Sequence, residues 1–130
     1  MLHAIKRTIK QIIDGRSSQW PKVRRAWLVD HPTCAGCGTR KALEVHHIIP
    51  FSFCKAFELL VTNFLTLCEY HDCHLILGHG GNYEDVNPWS VEDAAKQLAR
   101  IQKRCKRSDW SNIGEREIAD IIREMQATAA

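Results

Sequence analysis

The sequence predicts a single α+β domain, in which helical flanks at both ends enclose a short central segment of strands and turns. Hydrophobic residues recur at helical spacing near both ends of the chain, whereas apolar and polar residues alternate in the middle, next to Gly and Pro. A length of 130 residues suits one domain with a modest core. A hydrophobic content of 45% with four Trp residues argues against disorder.

The N-terminal flank is predicted to contain two helices. The first covers residues 2–13, because its apolar residues fall on one face at helical spacing. Pro21 suits the first position of a second helix over residues 21–31, which Pro32 ends. The apolar face of the first helix is formed by Leu2, Ile5, Ile9, Ile12 and Ile13.

The central segment is predicted to contain two short strands followed by a helix. Residues 43–48 alternate apolar and polar side chains, as a half-buried strand does, and residues 64–67 form a second short apolar run. The intervening residues 51–62 are ambiguous and fit a loop with one helical turn. Residues 68–77 are predicted to form a helix that Gly78 ends.

The C-terminal flank is predicted to contain two further helices that serve packing. Ser90 with Asp93 three residues later is typical of a capping box, and an apolar face continues from there to about residue 106. The last helix is marked by Ile118, Ile121, Ile122 and Met125.

Charge is distributed unevenly along the chain. Residues 1–55 hold ten Lys/Arg and three Asp/Glu, residues 56–95 hold none and seven, and residues 96–130 hold eight and five. Basic flanks around an acidic middle suit a chain that binds a polyanion at its ends and cations at its centre.

No apolar run approaches the roughly 20 residues of a membrane span. The start of the chain lacks the apolar stretch of a signal peptide, so we expect a reducing, cytoplasmic compartment and no membrane partner.

Clustered thiols predict a structural zinc site. In a reducing compartment such clusters indicate metal binding rather than disulfides. Cys34 and Cys37 have the spacing of a zinc knuckle, and Cys68 and Cys73 from downstream would complete a tetrahedron. His71 is an alternative to Cys73, because two residues separate it from Cys68. We assign the two remaining thiols to core packing: Cys54 and Cys105.

A second group of residues predicts a catalytic cation. His46 and His47 are adjacent on a strand and therefore point to opposite faces, so they have different roles. An imidazole from the strand and His74 from the following helix would leave a divalent ion with open positions, as a metal-dependent phosphodiesterase requires. The other His would act as general base, because an unperturbed imidazole has a pKa of about 6.5. Asn63 is expected to fix a loop or ring beside it.

His79 is a further candidate ligand, with phosphate contact or plain packing as alternatives. Five residues correspond to about 500° of α-helix, so His79 would face away from His74 unless Gly78 breaks the helix.

These motifs, in this order, resemble the HNH nucleases over about residues 20–90. The resemblance implies a ββα-metal, treble-clef-like core at about residues 32–80, stapled by zinc and flanked by helices at 1–31 and 90–126. The motifs that carry it are Cys34-x2-Cys37, Leu-Glu-Val-His46-His47-Ile-Ile-Pro50, Asn63-Phe-Leu-Thr-Leu-Cys68 and Cys73-His74. Weaker likeness to small phage-encoded, stand-alone members comes from Trp20-Pro21-x-Val-Arg24 and Gly-His79-x-Gly-Asn82.

The resemblance also implies a role for each matching residue. His46 and His74 match the metal ligands, His47 the general base and Asn63 the residue that constrains it. The chain departs from the family in having four residues between the last two thiols, where two are usual. We expect the helix to start at about residue 72, which keeps Cys73 beside His74; replacement of a thiol by His71 is the alternative. The implied zinc ligands are Cys34, Cys37, Cys68 and Cys73.

The expected function is metal-dependent hydrolysis of DNA phosphodiester bonds, with Mg²⁺, Mn²⁺ or a transition metal as the catalytic ion. The alternative is a zinc-stapled DNA-binding module without catalysis; a redox role is disfavoured because no βαβ pattern surrounds the thiols. Other expected partners are phage DNA-processing or packaging proteins, and the chain is expected to be a monomer or weak dimer. Candidate phosphate contacts, or alternatively solvated surface charges, are Lys22, Arg24, Arg25, Arg40 and Lys41.

Overall fold

The computed structural model describes residues 15–105 and 113–128 and confirms an α+β fold. The predicted helix over residues 2–13 lies outside the described residues, as does the side chain of Cys105. None of the helices in the described segments combines the length and hydrophobicity that crossing a membrane requires. The regular elements, in chain order, are α1 (Trp20–Asp30), β1 (Leu43–His47), β2 (Phe64–Cys68), α2 (Ser90–Cys105) and α3 (Glu115–Thr128).

Strands β1 and β2 form a two-stranded antiparallel sheet, in register from Leu43 opposite Cys68 to His47 opposite Phe64. The ambiguous stretch between them forms a connecting loop with two short 3₁₀ turns, Lys55–Phe57 and Val61–Asn63. The loop therefore lies at the end of the sheet that holds His47 and Phe64, and the thiol-rich turn lies at the opposite end, after Cys68.

The predicted helix over residues 68–77 is wrong in its first half. Pairing with Leu43 keeps Cys68 extended as the last residue of β2, and Asp72 then adopts a left-handed backbone with φ 57°. The helical segment that follows is a single π-helical turn, His74–Gly78. The tight reversal lets the sulfur of Cys68 accept a hydrogen bond from the amide of His71 at 3.4 Å. The later helix start expected from the family spacing is therefore what the structure has.

Two hydrophobic clusters hold these elements together. Helix α1 packs on one side of the sheet, where its Trp20 contacts Val45 of β1 and Phe64 of β2. A second cluster joins the four-cysteine region to helices α2 and α3 through Leu67, Leu77, Ala94, Ile101, Ile118, Ile121 and Ile122. The apolar faces of α2 and α3 are buried, which agrees with the packing role predicted for these two helices.

The predicted capping box at the start of α2 is wrong. Ser90 is the first helical residue, and its hydroxyl has no partner within the described chain. The carboxylate of Asp93 accepts a hydrogen bond from the side-chain amide of Asn87 at 2.8 Å instead. The same amide donates to the carbonyl of Leu77 at 2.7 Å, so it ties the start of α2 to the π-helical turn. A tertiary contact has thus replaced the local one.

Candidate metal centres

Four cysteine sulfurs converge at the end of the sheet. The sulfur atoms of Cys34, Cys37, Cys68 and Cys73 all lie within 4.8 Å of one another. Each of these residues is at most 2% exposed. The sulfurs of Cys37 and Cys68 are 3.7 Å apart. Zinc–sulfur bonds of about 2.3 Å in a tetrahedron place neighbouring sulfurs about 3.8 Å apart. The group could therefore hold a structural metal ion such as zinc.

Two tight turns place these thiols: the knuckle at residues 34–38 and the reversal at Asp72 described above. The knuckle closes because the amide of Cys34 donates to the Thr39 carbonyl at 2.8 Å, and the amide of Gly38 donates to the Cys34 carbonyl at 2.8 Å. Gly38 has φ 80°, a backbone conformation that glycine adopts without strain. Gly36 has no room for a side chain, since a Cβ there would lie 2.4 Å from Cδ1 of Leu77.

The electrostatics of the thiol group favour a bound cation. Hydrogen bonds from the neighbouring thiols, Cys37 first, hold the pKa of Cys34 below its ordinary value. Interactions with Cys34, Cys37 and Cys68, together with burial, raise the pKa of Cys73. The cluster alone therefore resists losing all of its protons, because buried thiolates repel one another. A divalent ion offsets that repulsion and deprotonates its ligating thiols outright.

Cys73, rather than His71, completes the four-thiol group. The Nδ1 atom of His71 lies 3.3 Å from the sulfur of Cys37, and its Nε2 lies 3.2 Å from the carbonyl oxygen of Glu115. The ring thus bridges the thiol group to α3 from outside it. Cys54 is half-buried and takes no part in the group.

Three imidazoles form a second convergent group beside the first. His46, His74 and His79 each offer a ring nitrogen, and these atoms lie within 4.8 Å of one another. The Nε2 atoms of His74 and His79 are 3.3 Å apart. Metal–nitrogen bonds of about 2.0–2.1 Å in a tetrahedron separate neighbouring nitrogens by about 3.3–3.4 Å. The spacing therefore fits two ligands of one ion.

The π-helical turn brings His79 to this group. An α-helix would have turned it away from His74, but hydrogen bonding across five residues returns the chain to the same face after one turn. Gly78 gives His46 the room to approach, because a Cβ at that residue would lie 2.9 Å from its Nδ1. The candidate ligand of the sequence analysis thus joins the other two.

Unpaired ring nitrogens make this group a candidate ligand site. His46 is 2% exposed, and both of its ring nitrogens, with Nδ1 of His74, are buried without a partner among the described residues. Such atoms are costly unless something binds them. Burial first, and then neighbouring imidazoles, lower the pKa of His46 to about 3 and that of His74 to about 4. The rings are therefore neutral at physiological pH, with lone pairs free for a cation.

His79 presents a defined nitrogen to the same point. Its Nδ1 lies 2.9 Å from the carbonyl oxygen of Asp85. A carbonyl only accepts hydrogen bonds, so Nδ1 is the donor to Asp85, and Nε2 is the nitrogen that faces the other two rings. A backbone carbonyl behind a ligating imidazole is a common way to orient the ring.

His47 lies on the other face of β1, as expected for the neighbour of His46 on a strand. Its Nε2 lies 2.8 Å from the carbonyl oxygen of Glu58, so Nε2 carries the proton and Nδ1 is the basic nitrogen. Its ring packs against that of Trp20, with the centroids 4.6 Å apart. Burial lowers the pKa of His47, which favours the unprotonated form of the ring.

Asn63 closes the loop between the strands. Its side-chain oxygen accepts a hydrogen bond from the amide of Ile49 at 2.8 Å, and its Nδ2 donates to the Ile49 carbonyl at 3.0 Å. Nδ2 also donates to the carbonyl of Phe57 at 3.3 Å. The side chain therefore fixes the loop and not the imidazole ring directly.

The five basic residues expected to contact phosphate divide into two groups. Lys22, Arg25 and Arg40 are exposed. Arg24 is 16% exposed and binds the carboxylate of Glu44 at 3.0 Å. Lys41 pairs with Glu115 at 3.0 Å. The latter two therefore have partners within the fold.

Sequence reasoning missed two residues near the histidines. The ring of Tyr83 lies 5.5 Å from that of His74 and 5.2 Å from that of His79, measured between centroids. Glu58 is 5% exposed and supplies the carbonyl that binds His47. A lone carboxylate in an apolar stretch was the available signal for Glu58, but its partners lie about forty positions earlier in the chain.

No protein-family model, curated protein or solved structure matches the chain significantly. The chemistry and spacing of the two metal-ligand groups are therefore the features of this chain that indicate its function.

Proposed function

We propose that the protein is a metal-dependent endonuclease of the HNH type that hydrolyses DNA phosphodiester bonds. The observation that carries the proposal is the convergent group of His46, His74 and His79. Both ring nitrogens of His46 and Nδ1 of His74 are buried there without a hydrogen-bond partner among the described residues. Three imidazole ligands would leave a divalent ion with positions for water and a phosphate oxygen. That arrangement suits hydrolysis better than storage or structural support.

The order of elements supports the HNH assignment. An antiparallel strand pair leads into a helical turn, β1 carries His46 and His47, and the turn carries His74. The four-thiol group joins the start and the end of this unit. A ββα-metal core stapled by zinc has the same sequence of parts, as the motif resemblance implies.

The general base in this proposal is His47. Its Nε2 proton is held by the Glu58 carbonyl, which leaves Nδ1 to take a proton from the attacking water. Asn63 holds the loop that carries this carbonyl, and Trp20 packs against the ring, so the imidazole is fixed in orientation. A bound divalent ion would supply charge stabilisation for the phosphate and the leaving oxygen.

One observation favours the second candidate, a DNA-binding module without catalysis. His47 is 9% exposed, and a general base must reach a water molecule. Under this hypothesis the thiol group stabilises the fold, the exposed Lys22, Arg25 and Arg40 contact DNA, and the imidazoles serve packing.

A plasmid-cleavage assay separates the two candidates. Protein loaded with zinc in the thiol site is incubated with supercoiled DNA and Mg²⁺, Mn²⁺, Co²⁺ or Ni²⁺ in turn. We expect cleavage that His46→Ala abolishes and that His31→Ala, which alters an exposed imidazole outside both groups, leaves intact. DNA binding without cleavage in every metal would refute the nuclease and establish the module. One site cuts one strand per encounter, so nicked circles should precede linear product.

Phage DNA-processing or packaging proteins remain the proposed partners, with the chain as monomer or weak dimer. Efficient double-strand cleavage would require two copies or two successive encounters, because the proposed chemistry has one metal and one base. A concentration dependence of the linear product would distinguish a dimer from successive nicking by monomers.

A further inference from the structure

We propose that Glu58 is a positioning residue for His47: its buried carboxylate anchors the β1–β2 loop, so that its own carbonyl holds the imidazole in one tautomer. The consequence for cleavage rests on the proposed function. The consequence for the tautomer does not, because it follows from contacts within the protein.

The backbone of Glu58 determines which nitrogen of His47 is basic. Its carbonyl oxygen lies 2.8 Å from Nε2 and can only accept. If the carbonyl moved away, the proton would be free to occupy either nitrogen, and the fraction of rings with a basic Nδ1 would fall.

The side chain of Glu58 anchors that carbonyl to a distant segment. Its two carboxylate oxygens accept the amide proton of Ser17 at 3.0 and 3.4 Å. The guanidinium of Arg16 lies 3.5 Å from the same carboxylate and stacks over Phe51, 4.4 Å from the ring centroid. A carboxylate that is 5% exposed requires such partners, because an unpaired buried charge is costly.

The segment that binds the Glu58 carboxylate also contacts the His47 ring. Trp20, three residues after Ser17, begins α1 and packs against the His47 ring with centroids 4.6 Å apart. The Glu58 carboxylate therefore joins the two elements that enclose this ring. Asn63 holds the carbonyl of Phe57, the residue before Glu58, at 3.3 Å. Two anchors on adjacent residues thus define where the Glu58 carbonyl points, and the sequence analysis had identified only Asn63.

The test compares three variants by their effect on the His47 ring. Glu58→Ala removes the anchor, Glu58→Gln keeps an oxygen that can accept from the Ser17 amide, and Glu92→Ala removes an exposed carboxylate as a matched control. Long-range ¹H–¹⁵N correlation spectra of zinc-loaded protein report the tautomer of His47 directly. We expect one tautomer, protonated at Nε2, in the wild type, in Glu58→Gln and in the control, and a mixture in Glu58→Ala.

Cleavage kinetics provide the second readout. A misplaced catalytic group costs about 10- to 100-fold in rate. We therefore expect Glu58→Ala to lower kcat by that factor with KM unchanged, and Glu58→Gln to retain most of the wild-type kcat. If Glu58→Ala does not fold, Glu58→Asp takes its place in both measurements and is compared with Glu58→Gln. The shorter side chain of Asp would not reach the Ser17 amide.

A single Nε2-protonated tautomer in every folded variant would overturn the proposal, as would a loss of activity confined to KM. Absence of cleavage by the wild type in all metals would refute the nuclease function and leave the tautomer measurement as a complete test of Glu58.

Discussion

Replacing Gly78 by Ala is expected to weaken the three-histidine site while leaving the four-thiol site filled. The added Cβ would lie 2.9 Å from Nδ1 and 3.0 Å from Cε1 of His46. Since Cβ contacts under 3.4 Å are rare, the His46 ring must move by about 0.5 Å (3.4 minus 2.9) in a closely packed site. Metal–ligand distances tolerate only about 0.2 Å. Disturbing merely the groups that orient ligands costs about 10- to 100-fold in metal affinity, so at least that loss is expected.

The measurement is a titration of zinc-loaded protein with Co²⁺, followed by the visible absorption of the nitrogen-bound ion. Sulfur-to-cobalt charge-transfer bands in the near ultraviolet would reveal exchange into the thiol site. Gly114→Ala is the matched control, because a Cβ there meets no atom of the described chain within 4 Å. Both substitutions reduce the entropy of the unfolded chain equally, so a difference between them reports the contact. Wild-type affinity in Gly78→Ala would refute the assignment of His46 as a ligand beside this glycine.

Three further predictions concern the thiol site, the general base and the basic residues. Cys73→Ser should release zinc and lower the melting temperature, whereas His71→Gln should keep zinc bound; the opposite pattern, read by metal analysis and thermal melting, would make His71 the fourth ligand. His47→Ala should lower cleavage by about 10²- to 10⁴-fold with DNA affinity unchanged; wild-type rates would remove His47 as the base. Raising salt from about 50 to about 200 mM should weaken DNA binding steeply, because binding to phosphates releases counterions. If the affinity measured by fluorescence anisotropy did not change with salt, the exposed Lys22, Arg25 and Arg40 would be excluded as the contact.

Local patterns in the sequence predicted most of the elements. The apolar periodicity around Ile101 and Ile121 identified α2 and α3, and alternation identified β1, because each pattern reflects which face of one element is buried. The spacing of Cys34 and Cys37 likewise implied a thiol site, which the convergence of four buried cysteines confirms as a group that could hold zinc. The opposite directions of His46 and His47 also followed from strand geometry alone. The roles of these histidines in catalysis stay predictions.

Contacts between distant segments decided what the sequence left open. Strand pairing kept Cys68 extended and delayed the helix, and the resulting π-helical turn placed His79 with His46 and His74. The partners of Glu58 lie on a connector far away in sequence, so no local period announces them. Periodicity records the average direction of a side chain along one element. Which nitrogen faces which atom depends instead on how separate elements are packed, and differences of a few tenths of an ångström there change the chemistry.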